Sequence, residues 1–400
     1  MKKFDPSTGI HDYLVFGEFG DVNPSITDSS TFTFHNPEKM EEVFDHEIEG
    51  CFLYSRHWNP INKYLSNALA RLEDTESAQV TSSGMGAISS TILDICSAGD
   101  EVISGRTVYG GTYALLKNFL PKLGITTKFT DIKNTAGVES LINDKTKIIY
   151  AESISNPLLE VTDIPALSAI AKKYGIKLII DNTFSPMILS PSRLGADIVV
   201  HSMTKYINGS SDCVAGCICS SNDFIHTLTD INAGATMLLG PVLDSFRAAS
   251  ILKNLHTLHI RIKKHGENAL FLATEFEKLG LKVFYPGLKS NKDHDLLKSL
   301  MNEGFGYGGM LALDVKSYEN ASRVMTRMQE EKVGYLAVSL GYFKTLFSSP
   351  GHSTSSEISE EEQQKMGLSD GLIRFSIGID NDITLAFERI KKCLKEINFL

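Results

Sequence analysis

Short apolar runs rich in β-branched residues recur through the first half of the chain, at 78–80, 147–150, 177–180 and 197–200. Runs of that length, without polar alternation, predict strands buried on both faces. Between them apolar positions fall at helical spacing, over 86–96, 113–120 and 164–174, the last followed by Gly175 as a C-cap. Strand and helix in alternation predict an α/β fold with a mostly parallel, doubly wound sheet. Residues 241–278 read as one long helical connector, because 245–280 has no proline and leucines recur at 252, 255 and 258. Beyond it the pattern loosens to strands at 281–285, 310–315, 335–338 and 372–377 and helices at 295–301, 319–332 and 383–397. That is an α+β arrangement. Residues 348–362 are rich in Ser, Thr and Glu and read as a loop with a solvated helix start. The first 61 residues carry turn formers at 23–25 and 27–30, with scattered aromatics and little periodicity. They read as an extended arm that lies on a neighbouring subunit. The chain thus divides into an arm (1–61), a large α/β domain (62–255) and a smaller α+β domain (256–400).

Composition narrows the partners. Asp and Glu outnumber Lys and Arg by 48 to 39, a net charge of −9 with no basic block, which argues against nucleic acid or an anionic membrane. Mean hydropathy is −0.05, and no apolar run approaches the roughly 20 residues of a membrane span. The N-terminus turns polar at once, at Lys2, Lys3 and Asp5, without the apolar core of a signal peptide. Six cysteines in 400 residues are too sparse for a disulfide framework. A cytoplasmic enzyme acting on a small molecule is the expectation.

In an open α/β sheet, ligands bind beyond the carboxyl ends of the strands. The apolar runs end in Ser82-Ser83-Gly84-Met85-Gly86, Ala151-Glu152-Ser153, Asp181-Asn182-Thr183 and His201-Ser202-Met203-Thr204-Lys205. The first is a turn opening a helix, where backbone N–H groups and the helix dipole favour an anion. It lacks the third glycine of a dinucleotide fingerprint, since Ser89 stands there. The formal match at 304–309 precedes a strand instead of following one. Lys205, flanked by Ser202 and Thr204 and held away from bulk water, is a candidate for Schiff-base chemistry. A carboxylate ending a buried strand needs a partner, and Asp181 is such a group. Lysine, carboxylate and phosphate cradle together fit pyridoxal phosphate (PLP). No metal is expected: Cys213, Cys217 and Cys219 read as apolar packing, and His256 and His259 lack zincin register. His201 reads as a satisfied histidine near the core.

Ordered motifs then extend over nearly the whole chain. They are Tyr54-Ser55-Arg56, Ser83-Gly84-Met85-Gly86, Tyr109-Gly110-Gly111, Glu152-Ser153-Ile154-Ser155-Asn156-Pro157, Asp181-Asn182-Thr183-Phe184, Ser202-Met203-Thr204-Lys205-Tyr206, Ser339-Leu340-Gly341 and Arg374-Phe375-Ser376. With them the chain resembles the PLP-dependent enzymes of Cys/Met metabolism (trans-sulfuration). That family includes methionine γ-lyase, cystathionine γ-synthase, the cystathionine lyases and O-acetylhomoserine sulfhydrylase. The resemblance implies a fold type I, aspartate aminotransferase-like architecture and a homotetramer in which each active site is shared across a dimer.

It also implies roles. Lys205 holds the cofactor as a Schiff base and shuttles protons, while Asp181 pairs with the pyridine nitrogen. Gly84, Met85, Ser202 and Thr204 hold the phosphate, with Tyr54 and Arg56 reaching it from the neighbouring subunit. Tyr109 stacks on the ring and acts as acid/base, Asn156 faces the phenolic oxygen, and Thr183 belongs to the cofactor set. Arg374 clamps the substrate carboxylate beside Ser339, with Val338 and Gly111 on the substrate side. Gly111 stands where methionine γ-lyases carry cysteine, and Val338 where cystathionine γ-lyases carry glutamate. The expected reaction is γ-elimination on a sulfur amino acid, methionine foremost. The alternatives are cystathionine γ-lyase or γ-synthase, O-acetylhomoserine-type γ-replacement, and a PLP-binding member with altered catalysis.

Overall fold

A computed structural model describes residues 4–352 and 368–400, except 19, 46, 47 and 49. Seven strands form the first sheet: β1 (Ser77–Thr81), β2 (Glu101–Gly105), β3 (Thr126–Thr130), β4 (Thr146–Glu152), β5 (Lys177–Asp181), β6 (Ile198–Ser202) and β7 (Gly216–Ser220). Their order is β1-β7-β6-β5-β4-β2-β3. β2 to β6 pair in parallel, as the alternation predicts. β7 departs from it, running antiparallel to both β1 and β6. The connection 203–215 holds only turns and loop, and a parallel crossover needs more, usually a helix.

Ile179, Ile198, Val200 and Ile218 bury one face of this sheet against Ile88 and Ile92 of the helix Gly84–Ile95. On the other face, Val199, Cys217 and Cys219 pack against Leu65 and Leu69 of the helix Pro60–Glu73. Both faces are covered, so the strands need no polar alternation. The cysteines do pack as apolar residues.

The second sheet has order β10-β11-β12-β9-β8. Its strands are β8 (Lys282–Phe284), β9 (Met310–Asp314), β10 (Gly334–Leu336), β11 (Thr345–Ser348) and β12 (Leu372–Ser376). Leu311, Leu313, Ile373 and Phe375 fill a separate core with Phe276, Val324 and Ile390 from the helices Leu258–Lys278, Tyr318–Glu330 and Ile383–Glu396.

Three expectations are corrected. The helical connector is two helices, Ser245–Leu255 and Leu258–Lys278. The Arg261 guanidinium explains the break: it donates to the carbonyls of Asn254 and Ile207 at 2.9 and 3.0 Å, tying the turn to the chain beyond β6. The arm is not wholly extended, because Pro6–His11 and Pro37–Asp45 are short helices. Asp5 caps the first by accepting from Ser7 N–H, and its Ile10 is buried. The helix expected at 113–120 is instead an α turn, Gly110–Ala114, followed by a π turn, Leu115–Phe119. Most of the Ser- and Glu-rich stretch, from 353 on, lies outside the described residues. Among the described residues no helix is long and apolar enough to cross a membrane.

Candidate active site

Parallel pairing sets Glu152 beside Asp181 at the carboxyl ends of β4 and β5, and Ser202 ends β6. The helix Gly84–Ile95 begins at the same rim, with Ser83 Oγ capping it by accepting from Gly86 N–H at 2.9 Å. The N–H groups of its first turn have no intrahelical partner. Together these elements wall a cavity of about 260 Å³. Gly84 is required by close approach: a Cβ there would lie 2.7 Å from Ser202 Cβ.

Of the expected cofactor and substrate residues, Gly84, Met85, Tyr109, Asn156, Asp181, Thr183, Ser202, Thr204, Lys205, Val338, Ser339 and Arg374 line this one cavity. Tyr54 and Arg56 do not. Arg56 donates to Met237 O at 2.9 Å, and Tyr54 is exposed on the surface. Gly111 is also outside the lining, but it touches the site indirectly: a Cβ there would lie 2.6 Å from Tyr109 Cε1.

Lys205 follows β6 on a turn, and its Nζ donates to Ser339 Oγ at 3.1 Å. Burial, helped by the Arg374 cation, lowers its pKa to about 8. A neutral amine is therefore accessible near physiological pH. Arg374 comes from β12, the central strand of the other sheet, and is 3% exposed. It donates to Asn156 Oδ1 at 3.0 Å and to Ser339 O at 3.5 Å. Burial lowers its pKa to about 10, so it stays charged. Ser339 is held at φ 139°, a strained angle for a residue with a Cβ.

Asp181 accepts from Thr183 N–H at 2.9 Å and from the Tyr150 hydroxyl at 3.2 Å, both neutral donors. Burial raises its pKa. A cation in the cavity would stabilise its charged form, and a protonated ring nitrogen is such a cation. Ser202 N–H donates to Thr183 Oγ1 at 2.8 Å. Thr204 lines the cavity, yet its hydroxyl donates to Ala215 O and accepts from Ala215 N–H. It staples the turn after β6 as well as facing the site. Behind the sheet, His201 Nε2 meets Glu73 Oε1 at 2.7 Å, both 1% exposed. The expectation of a satisfied histidine is met at that nitrogen.

Residues not expected at the site also line it: Ile154, Phe184, Val214 and Leu340. Glu152 was visible as a strand-end carboxylate without a role. Its pKa is pushed up to about 8 by burial and by the Asp181 charge. Among the described residues no group of three or more His, Cys, Asp or Glu is placed to hold a metal.

The donor set fits PLP. A helix N-terminus and Ser202 offer an anion site, Asp181 a partner for a cationic ring nitrogen, Tyr109 an aromatic wall and Lys205 an amine. Comparison with known proteins agrees. Residues 11–389 match the family described as Cys/Met metabolism PLP-dependent enzyme. The chain belongs to that family. Its cofactor is therefore pyridoxal 5′-phosphate, and the fold is that of the fold type I enzymes. The chain is 43% identical to a methionine gamma-lyase of Arabidopsis thaliana, over 91% of this chain and 84% of that protein. It is 36% identical to an L-methionine gamma-lyase of Fusobacterium nucleatum subsp. polymorphum, over 94% of each. Its fold matches a putative O-acetylhomoserine (thiol)-lyase of Campylobacter jejuni with a TM-score of 0.90 at 30% identity, covering 98% of this chain and 100% of that one. That structure contains N′-pyridoxyl-lysine-5′-monophosphate.

Proposed function

We propose that this PLP-dependent lyase performs γ-elimination on methionine, giving 2-oxobutyrate, ammonia and methanethiol with uptake of one water. The observation that carries the choice of substrate is a buried guanidinium beside an apolar wall. Arg374 and Ser339 form a carboxylate clamp, and Val338 and Val214 line the same cavity. A thioether side chain suits that wall, whereas the distal ammonium of cystathionine finds no carboxylate at Val338.

When bound, PLP would supply an electron sink that acidifies the substrate's Cα–H and then its Cβ–H. The chain's residues do the rest. Gly84, Met85 and Ser202 would hold the phosphate, with Thr204 fixing the turn beside them, and Asp181 would hold the ring nitrogen in its protonated form. Arg374 fixes the substrate carboxylate and so aims Cα at Lys205 Nζ. Lys205, with its pKa lowered to about 8, takes the Cα proton and then moves a proton at Cβ. Tyr109, at the mouth of the cavity, delivers a proton to the departing sulfur through its hydroxyl. Tyr54 and Arg56, outside their own cavity, serve that of a second subunit, which favours a site shared across a dimer and a tetramer built from such dimers. The reading places the enzyme in the cytoplasm, supported by six free thiols and no disulfide among the described residues.

The test is product release from methionine, homocysteine, cystathionine and O-acetylhomoserine, assayed side by side for 2-oxobutyrate and thiol. Methionine should give both products without added sulfide. Turnover confined to O-acetylhomoserine, and only with sulfide present, would establish γ-replacement in its place. No turnover of any of them, in protein that binds PLP, would establish a member with altered catalysis.

A further inference from the structure

Glu152 takes no part in the chemistry described above, yet it sits at the centre of the cavity's hydrogen bonding. Its Oε1 accepts from the backbone N–H of Tyr109 at 2.6 Å. Its Oε2 accepts from the backbone N–H of Asn156 at 2.9 Å. The strand-end carboxylate therefore grips two different loops at once. Tyr109 is the residue just before the helical turn Gly110–Ala114, and nothing in its own side chain caps that turn. Asn156 lies in the loop after β4. Its Oδ1 accepts from Arg374, whose other nitrogen donates to Ser339 O, while Ser339 Oγ accepts from Lys205. One chain of hydrogen bonds thus runs from Tyr109 through Glu152, Asn156, Arg374 and Ser339 to Lys205.

A carboxylate suits this post and its neutral isostere does not. Both oxygens face N–H donors, so an amide would set its own NH₂ against one of them. Placing the carboxylate 7% exposed beside Asp181 opposes its ionised form. The two backbone N–H bonds and the Arg374 charge favour that form without outweighing burial and Asp181, so the carboxylate with both oxygens accepting is the form present above about pH 8. A group held under such opposing demands has a task that a neutral filler would not perform.

We propose that Glu152 is a positioning residue, a two-handed clamp that sets the Tyr109 ring and the Asn156–Arg374 pair at the correct places around PLP. The inference rests on the cofactor site of the proposed function and not on its substrate. It makes the effect of Glu152 depend on the residues it holds.

The test is a mutational cycle with two readouts: PLP affinity of cofactor-stripped protein by titration, and kcat and KM of the reloaded holoenzyme. At about pH 9, where Glu152 is ionised, Glu152→Gln is expected to weaken PLP binding and lower kcat/KM by about tenfold each, the loss of one charged hydrogen bond at a buried site. In the Tyr109→Ala, Asn156→Ala background the same substitution should change either readout by less than about threefold, because the clamp then holds nothing of use. Thermal unfolding of the stripped proteins should show the Gln variant folded. If it does not fold, Glu152→Asp, which keeps the charge but reaches only one of the two N–H groups, takes its place in the cycle. Wild-type affinity and kinetics in the variant overturn the proposal, and so do losses that stay undiminished in the double-variant background. Failure of the methionine assay leaves the PLP readout standing. Wild-type protein that takes up no PLP overturns this inference together with the cofactor site.

Discussion

Replacing Lys205 with Met in PLP-free protein should stabilise it near neutral pH. The Lys205 ammonium is buried beside the Arg374 cation, with Ser339 Oγ as its hydrogen-bond partner. Burial first, and Arg374 second, lower its pKa from 10.5 to about 8. The unfolded chain keeps the ordinary value. Below pH 8 the folded protein thus holds a proton that the unfolded chain holds more easily. The full gap corresponds to roughly 3 kcal/mol. Solvent reaching the cavity and the lost bond to Ser339 reduce the expected net gain to roughly 1–2 kcal/mol. The sign follows from proton counting. Between the folded and unfolded pKa values the unfolded chain binds more protons, so wild-type stability rises with pH there. The advantage of the Met variant is therefore full below about pH 8 and fades as pH climbs towards 10.5. Urea denaturation of both stripped proteins, from about pH 6.5 to about pH 9.5, measures the difference. A Met variant less stable than wild type at neutral pH would refute the reasoning. So would a stability gap that stays flat across the window.

Two further predictions concern the scaffold. Burial alone would lower the pKa of His201, and the Glu73 carboxylate instead holds it at about 9, so Glu73→Gln should destabilise the protein by about 3 kcal/mol at pH 6. That stabilisation is complete below the unfolded histidine value and disappears as pH rises through about 9; a variant with the wild-type urea midpoint at pH 6 would rule it out. Gly341 has φ 79°, and a Cβ there would lie 2.6 Å from the backbone nitrogen of Tyr206, so Gly341→Ala should cost at least about 2 kcal/mol and raise KM by displacing Ser339; wild-type melting and KM would contradict this.

What could be read from the chain follows from where each signal resides. β4, β5 and β6 are buried on both faces, so their apolar runs stand out, and so do the polar residues that end them. Asp181, Ser202 and Lys205 were legible for that reason. β3 reads Thr-Thr-Lys-Phe-Thr on a half-exposed edge and gives no such run. The break between the helices at 256–257 was hidden because it depends on carbonyls that Arg261 meets from a distant turn. Arg374 arrives from the second sheet and Ser339 from the loop between β10 and β11, and only the ordered motifs tied them to Lys205 before the fold did. The grip of Glu152 on two backbone N–H groups has no sequence signature, since any residue but proline presents that donor.

The placement of Arg374 carries a mechanical consequence. Its strand buries Ile373 and Phe375 in the core of the second sheet, whereas Asp181 ends and Lys205 follows strands whose apolar residues fill the cores of the first sheet. The reactive geometry is thus an alignment between two sheets, joined where Met310 of β9 and Leu340 enter the first sheet's core, with the substrate carboxylate as the pin between them. A small shift of one sheet against the other would spoil the aim at Cα while leaving every residue of the cavity unchanged. Substitutions deep in the second core, at Val324 or Ile390, which do not line the cavity, would then register as faults of catalysis.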